Sequence, residues 1–229
     1  MAKAIEIIER AFKRIGVLAA GESISGHELL DGMQALSDLL EMWSADRLTI
    51  YKSIEIAHPL TGAMRYSIGP TGDISADRPL TIYSAFVRNG AVDTPVWVTG
   101  NNRFDGITDK SGYGRPEYLR YTPDMPDGHI DIWPHPGTGS TLHLRVGMQF
   151  DVPVAPADDL VLPPGYRRAL ALALAVDLCG VYGRPVAVDL IGQAVEAKAI
   201  IMRNNINADM DESSFDPFLS RRHGSFVSG

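Results

Sequence analysis

The sequence has little cysteine and little clustered positive charge. Cys179 is its one cysteine among 229 residues, which excludes an intrachain disulfide and a cage of several thiolates around zinc. The net charge is 21 − 28 = −7, and the sequence has no lysine-rich or arginine-rich block longer than adjacent pairs such as Arg221-Arg222. Because nucleic-acid affinity comes mainly from cations, we expect no sequence-specific DNA binding.

Long hydrophobic runs are also lacking. No run reaches the roughly 18 apolar residues that a membrane-spanning helix needs, and the opening MAKAIEIIER is too acidic for a signal peptide. We therefore expect a protein made in the cytoplasm, with no membrane anchor. At 45% hydrophobic and 21% charged residues, the composition is that of a folded globular chain.

Catalytic motifs are absent. There is no nucleophile elbow, HExxH pair or paired GxGxxG fingerprint, and GTGST at 137–141 lacks the lysine of a phosphate-binding loop. The acids on predicted helices have the pattern of solvated faces and caps; they are Glu6, Glu9, Glu28, Asp31 and Glu41. We predict that the protein is not an enzyme and that it has no catalytic residues and no cofactor.

One cluster has ligand-type residues. His129, Asp131 and His135 alternate along a predicted strand, and His143 lies across a predicted hairpin from them. A metal site is one interpretation. Pro134 and Pro136 disrupt that strand, however, and solvated sheet faces often carry such residues, so we predict no metal.

Helical periodicity occupies both ends of the chain. In residues 2–47 it predicts two amphipathic helices, the second starting at a capping box formed by Ser25 and Glu28. In residues 164–206 it predicts one helix with a face of Tyr166, Leu170, Leu174 and Leu178, and a last helix with Leu190, Ala194, Ala197 and Ile201. Cys179 is expected in the core. Residues 207–229 lose the pattern and are expected to form an extended tail.

The middle of the chain has the signature of strands and turns. Seven short runs within residues 48–163 predict strands, at 51–58, 64–68, 80–87, 96–99, 118–121, 129–133 and 141–148. The last two flank PHPGTGS and predict a hairpin. Trp43, Trp97 and Trp133 are expected to pack in cores.

These patterns predict an α+β fold. A helical bundle formed by residues 1–47 and 164–206 would carry a small inserted antiparallel β domain, residues 48–163. An extended tail, residues 207–229, would follow.

Short patterns in the same order resemble a known family. They are Tyr66-Ser-Ile-Gly69-Pro-Thr-Gly72-Asp73 with Arg78-Pro79, then Leu162-Pro163, Tyr166, Ala169-Leu170 and Tyr182-Gly183-Arg184-Pro185. With the helix pair before them, they resemble the head-to-tail adaptors, or head completion proteins, of short-tailed double-stranded DNA phages. The resemblance covers most of residues 2–206. The long β region and the residues after Asn207 depart from it.

The resemblance implies a structural protein in the neck of the virion. Such adaptors form a ring of about twelve copies under the portal protein, seal the DNA-filled head and receive a tail nozzle, spike or fibre. DNA passes through the channel without sequence-specific contacts. The tail would dock on the portal through aromatic and basic residues, namely Phe215, Phe218, Arg221, Arg222 and Phe226.

Two alternatives stay open. One is a cell-wall (peptidoglycan) hydrolase carried in the virion, which would need a carboxylate in a groove wide enough for a sugar. The other is a minor capsid protein or tail-fibre connector, whose β domain would set a threefold symmetry.

Overall fold

The computed structural model describes residues 2–19, 21–46 and 52–213, with side chains as far as Asn205. In chain order its elements are β1 (Ala2–Lys3), α1 (Ala4–Arg14), α2 (Gly26–Ala45), β2 (Ser53–Pro59), β3 (Arg65–Gly69), β4 (Ile74–Ser75), β5 (Thr81–Asn89), β6 (Val92–Thr99), α3 (Asn101–Asp105), β7 (Tyr118–Thr122), β8 (Gly128–Trp133), β9 (Thr141–Gly147), β10 (Asp159–Leu160), α4 (Tyr166–Val181) and α5 (Val188–Ser213). They form two compact units. The helical unit comprises Met1–Leu39 and Pro153–Gly229, and the sheet unit comprises Leu40–Val152.

The sheet unit is built on one eight-stranded mixed sheet that curls into a nearly closed barrel. The strand order is β2-β9-β5-β6-β7-β8-β3-β4, and the pairs β6–β7 and β3–β4 are parallel. The predicted fold class, a helical bundle with a small antiparallel β insertion and an extended tail, is therefore wrong. Short apolar runs predict each strand by itself and not its pairing. The strands pair edge to edge into one large sheet, and this sheet dominates the fold.

Alternating burial explains why these segments are strands. In β9 the apolar side chains of Leu142, Leu144 and Val146 are fully buried, and the residues between them lie on the other face. The same period places Ile130 and Ile132 of β8 in the core. All seven predicted strands are present, although β6 begins at Val92, four residues before its predicted start at Val96.

The predicted hairpin is wrong. β8 pairs with β7 and β3, whereas β9 pairs with β2 and β5. The segment between β8 and β9 bonds to distant loops instead of turning back. His135 donates its backbone N–H to the Gly112 carbonyl, and the Ser140 carbonyl accepts from Leu60. Turn-rich composition predicted a change of direction here, but the chain crosses to another part of the sheet.

The helical unit packs α1 and α5 against α4. The predicted face of α4 is confirmed, since Tyr166, Leu170, Leu174 and Leu178 are all buried, as is Cys179. Of the predicted face of α5, Ile201 is buried, and Leu190, Ala194 and Ala197 are half-buried. The helix α5 continues to Ser213, beyond Asn207, where the sequence pattern fades.

The predicted capping box at the start of α2 is confirmed. Ser25 Oγ accepts from the Glu28 backbone N–H at 3.3 Å, and Glu28 Oε2 accepts from the Ser25 N–H at 2.8 Å. The hydrogen bonds from the Ser25 backbone and side chain lower the pKa of Glu28. One turn later Gly32 lies against Ile8 and Phe12 of α1, so close that a Cβ at this position would overlap the Ile8 side chain. The glycine allows α2 to approach α1.

Candidate functional site

The residues predicted to dock on a portal lie outside the residues that the structure describes. These are Phe215, Phe218, Arg221, Arg222 and Phe226. Within the described chain, the candidate site lies on the helical unit, whose last helix, α5, precedes them in the sequence.

The segment from Tyr66 to Asp73, one of the short patterns described above, forms a turn that its own hydrogen bonds hold together. Asp73 Oδ2 accepts from both the N–H and the Oγ of Ser67, at 2.8 and 2.7 Å, and these bonds lower the pKa of Asp73. Thr71 donates to the Asp127 carboxylate through its backbone N–H and its hydroxyl. A Cβ at Gly72 would lie 2.8 Å from the Ser67 backbone. These residue types are accounted for by the geometry of the turn.

The segment from Tyr182 to Pro185, another of these short patterns, follows α4, and Tyr182 packs against α1 and α2. Tyr182 Oη donates to Asp31 Oδ2 at 2.8 Å, and its ring meets Phe12 edge-on at 5.2 Å. Burial, together with the hydrogen bond to Asp31, raises the pKa of Tyr182 to about 12. Gly183 adopts φ 58°, a left-handed conformation suited to the end of α4. This segment also has a structural role.

The residues considered as metal ligands are not brought together. Asp131 is bound by Arg65 and Arg120, and His135 stacks on Tyr113 at 4.9 Å. His143 lies on β9, which three strands separate from β8 in the sheet order; its Nδ1 is 2.7 Å from Glu55 Oε1, and its ring stacks on Phe86. Among the described residues no group of three or more His, Cys, Asp or Glu could hold a metal ion.

Asp131 is the most buried charged residue of the sheet unit's described part. Its register partners are Arg65 on β3 and Arg120 on β7, so the three side chains form one row across adjacent strands. Burial alone would raise the pKa of Asp131, but the hydrogen bonds and charges of the two arginines outweigh it and lower the pKa. Arg120 also contacts Asp105 at 2.7 Å and lies over the Phe104 ring. This network ties β3, β8 and β7 together.

The tryptophan prediction is correct for one residue of three. Trp43 is buried, whereas Trp97 is exposed. Trp133 is half-buried and donates its indole N–H to the Asp109 carbonyl at 2.7 Å. Each strand of a barrel has an inner and an outer face, and an aromatic residue can lie on either. The strand pattern therefore did not determine whether Trp97 and Trp133 face the core.

A groove of about 460 Å³ opens between α4 and α5. The loop Pro163-Pro164-Gly165 forms one end, and Ala197, Ile200 and Ile201 of α5 give it an apolar floor. Asn205 donates to the Tyr166 hydroxyl at 2.8 Å and so fixes this part of α5, two turns before its end, beside the start of α4. Burial, only partly offset by this bond, raises the pKa of Tyr166.

The outer face of α5 carries an exposed apolar row. Val188, Ile191 and Val195 are 82, 44 and 64% exposed. At 100° per residue they lie about 120° around the helix from the face that contains Leu190, Ala194, Ala197 and Ile201. Gly192, within the row, has no atom within 4 Å of a Cβ placed on it. Within the described residues, nothing covers this apolar row.

Sequence reasoning missed this row. It assigned the apolar residues of the last helix to a single face, although Val188, Ile191 and Val195 have their own i, i+3, i+7 spacing. The available signal was that apolar residues occur on more than one side of this helix, so that a single buried face leaves some of them exposed. No helix in the described part of the chain combines the length and apolar character that crossing a membrane requires.

Comparison with known proteins finds similarity to solved structures alone. No protein-family model and no curated protein sequence matches the chain. Among solved structures it is similar to a chain of the virion of a native gene transfer agent particle, with 14% identity over 86% of this chain and 91% of that chain. The TM-score is 0.31, which is too low to establish a shared fold.

Proposed function

We propose that this protein is a structural component of a phage-like virion, a head-to-tail adaptor that assembles as a ring under the portal. In this role it seals the DNA-filled head, continues the DNA channel and receives a tail nozzle, spike or fibre. The order of short patterns along the chain supports the proposal. The observation that carries it is the uncovered apolar row on α5.

The row is suited to contact a second copy of the chain. Complete burial of each Val or Ile side chain contributes about 1.5–3 kcal/mol, so three of them provide a substantial driving force for association. Gly192 adds no side chain and lets a neighbouring backbone approach closely. In a ring each subunit uses two different surfaces, and α5 contacts α4 through a different face from the one that carries the row.

Portal docking is assigned to the segment that follows α5. Phe215, Phe218 and Phe226 supply apolar anchors, and Arg221 and Arg222 supply bidentate donors for carboxylates. The acidic net charge of −7 disfavours tight contact with the DNA backbone, so a duplex can pass through the ring without being held. We propose no enzymatic activity.

Removal of residues 214–229 tests the docking segment, because it leaves every described helix and strand in place. We expect the truncated protein to keep its circular dichroism spectrum and to lose binding to the purified portal ring. Full binding by the truncated protein would place the portal contact elsewhere and contradict this assignment.

Charged substitutions on α5 test the row. Val188→Asp with Val195→Asp is expected to reduce the number of subunits on each portal by at least about tenfold, because it places carboxylates in an apolar contact. Val92→Asp with Val154→Asp is the matched control, since these valines are 65 and 93% exposed and are not part of α5. Equal loss in both variants would contradict the role of the row.

The open alternatives are separated by two further measurements. A zymogram on peptidoglycan is expected to show no clearing, and clearing would establish the hydrolase. The symmetry of assembled particles is expected to match the portal, and a threefold complex would establish the fibre connector instead.

A further inference from the structure

A basic cleft lies between α1 and α4 of this acidic protein. Arg10, Lys13 and Arg14 of α1 and Arg168 of α4 surround an open space of about 550 Å³. Lys13 is 3.3 Å from Glu9. For Arg10, Arg14 and Arg168, the described part of the chain provides no carboxylate partner. The sequence conceals this cluster, because its members come from segments more than 150 residues apart.

The position of these cations is only partly explained by helix stability. Lys13 and Arg14 lie in the last turn of α1, where positive charge favours the helix dipole. Arg10 lies one turn earlier, and Arg168 lies near the start of α4, where the dipole disfavours a cation. Four cations around one cleft repel one another unless an anionic group binds among them.

The same chain contains a segment of matching charge. Between 209 and 216 the sequence has four carboxylates, and it has no Lys or Arg from 204 to 220. The carboxylates are Asp209, Asp211, Glu212 and Asp216. A basic cleft and an acidic sequence segment in one chain provide opposite charges of the kind that direct head-to-tail association between copies.

Geometry favours a contact between two copies over a contact within one. Asn205 is fixed beside Tyr166, the first residue of α4. The helix α5 then continues to Ser213, which advances it by about 12 Å past that point. Because α4 and α5 are antiparallel, α5 there runs away from Arg168, which lies further along α4.

We propose that the basic cleft of one subunit binds the acidic segment 209–216 of the next subunit. The proposal deepens the adaptor assignment and rests on it, since a contact between unlike surfaces closes a ring when it is repeated by rotation. The apolar row of α5 provides association energy, and the charge contact fixes its direction.

Charge reversal on each side provides the test. The cleft variant is Arg10→Glu with Arg14→Glu, and the segment variant is Asp209→Lys with Glu212→Lys. In either variant alone, the altered side carries two cations and two carboxylates and therefore no net charge, so the attraction is lost and we expect the number of copies on the portal ring to fall at least about tenfold. In an equal mixture, the unaltered cleft meets the unaltered segment at every second contact and the introduced carboxylates meet the introduced lysines at the others, so we expect most of the binding to return. Loss without recovery, in folded variants, would overturn the proposal.

Two controls make the outcome specific. Arg115→Glu with Arg184→Glu makes the same change in net charge on exposed side chains outside the cleft, and it is expected to bind the portal normally. Fluorescence anisotropy with duplex DNA of about 30 base pairs tests the other anionic ligand. If only the unaltered cleft binds the duplex, and mixing restores no assembly, the cleft contacts nucleic acid and the proposal is wrong.

A portal-free measurement separates this proposal from the adaptor function. A carbodiimide joins lysine amines directly to carboxylates, and applied to a concentrated mixture of light and ¹⁵N-labelled chains it is expected to link Lys13 to the segment 209–216 between chains. If the unaltered protein fails to bind the portal but this link forms, the adaptor function fails and the contact stands. If portal rings form without the link, the contact fails and the adaptor function stands.

Discussion

The buried carboxylate of Asp131 gives a quantitative prediction. Its side chain is 2% exposed and contacts Arg65 Nε at 2.7 Å and Arg120 Nη2 at 2.7 Å. Asp131→Asn keeps the volume but removes the charge, so two guanidinium groups lose their shared partner. Arg65 is 58% exposed and can be hydrated again, whereas Arg120 is only 18% exposed and cannot.

The magnitude follows from Arg120. Breaking a buried ion pair by removing one partner destabilises a protein by about 3–5 kcal/mol. Because Arg120 keeps Asp105 and the Phe104 ring, we expect the low end of this range, about 3 kcal/mol. With a slope of about 2 kcal/mol per molar urea, the unfolding midpoint of the sheet unit should fall by about 1.5 M.

Tryptophan fluorescence is the assay, because Trp43, Trp97 and Trp133 all belong to the sheet unit. Asp93→Asn is the control, since its pair with Arg88 is exposed on both sides and should shift the midpoint little. The pKa of Asp131 is lowered on folding, so its contribution is present above about pH 4 and is lost as the pH falls through the lowered pKa. Equal midpoints for Asp131→Asn and Asp93→Asn would show that the buried pair of Asp131 and Arg120 stabilises the sheet unit no more than an exposed pair.

Three further predictions concern the helical unit. Gly32→Ala should lower the melting temperature, because overpacking against Ile8 and Phe12 costs about 1–3 kcal/mol. Gly192→Ala should raise the stability by up to about 1 kcal/mol, because the new methyl group meets no atom. Thermal circular dichroism compares the two variants, and a Gly32→Ala variant more stable than the unaltered protein would contradict the close contact with α1. Ser25→Ala should lower the melting temperature by a few degrees through loss of the cap, and Ser25→Asp should restore most of it. Because the pKa of Tyr182 is raised to about 12, its contribution to stability is complete below about pH 10 and is lost as the pH rises toward about 12. Tyr182→Phe should remove this loss. An ultraviolet titration that finds no tyrosine ionising near pH 12 would count against the burial of the Tyr182 hydroxyl.

Local chemistry was predictable from the sequence where it depends on near neighbours. The capping box of Ser25 and Glu28 and the buried face of α4 follow from spacing within a few residues. The positions of the seven strands follow in the same way from alternation and turn residues.

Strand pairing was not predictable in this way. His129 and His143 lie on segments adjacent in sequence, yet β8 and β9 are separated by three strands in the sheet. Pairing depends on contacts between distant residues such as Arg65 and Asp131, which no local pattern contains. For the same reason the size of the sheet was underestimated, and with it the fold class was wrong.

The surfaces used in the proposals were hidden for different reasons. The row of Val188, Ile191 and Val195 becomes visible as a surface only once α4 is seen to occupy the other side of α5. The basic cleft joins Arg168 to α1 across most of the chain length, so a search for a basic block in the sequence could not find it.

The mass of the assembled complex tests the adaptor function most directly. The purified full-length chain should be measured alone and after mixing with the cognate portal ring. We predict a monomer alone and about twelve copies bound to each portal, in keeping with a ring. Absence of any complex with the portal, or a stable threefold assembly formed without it, would contradict the adaptor function.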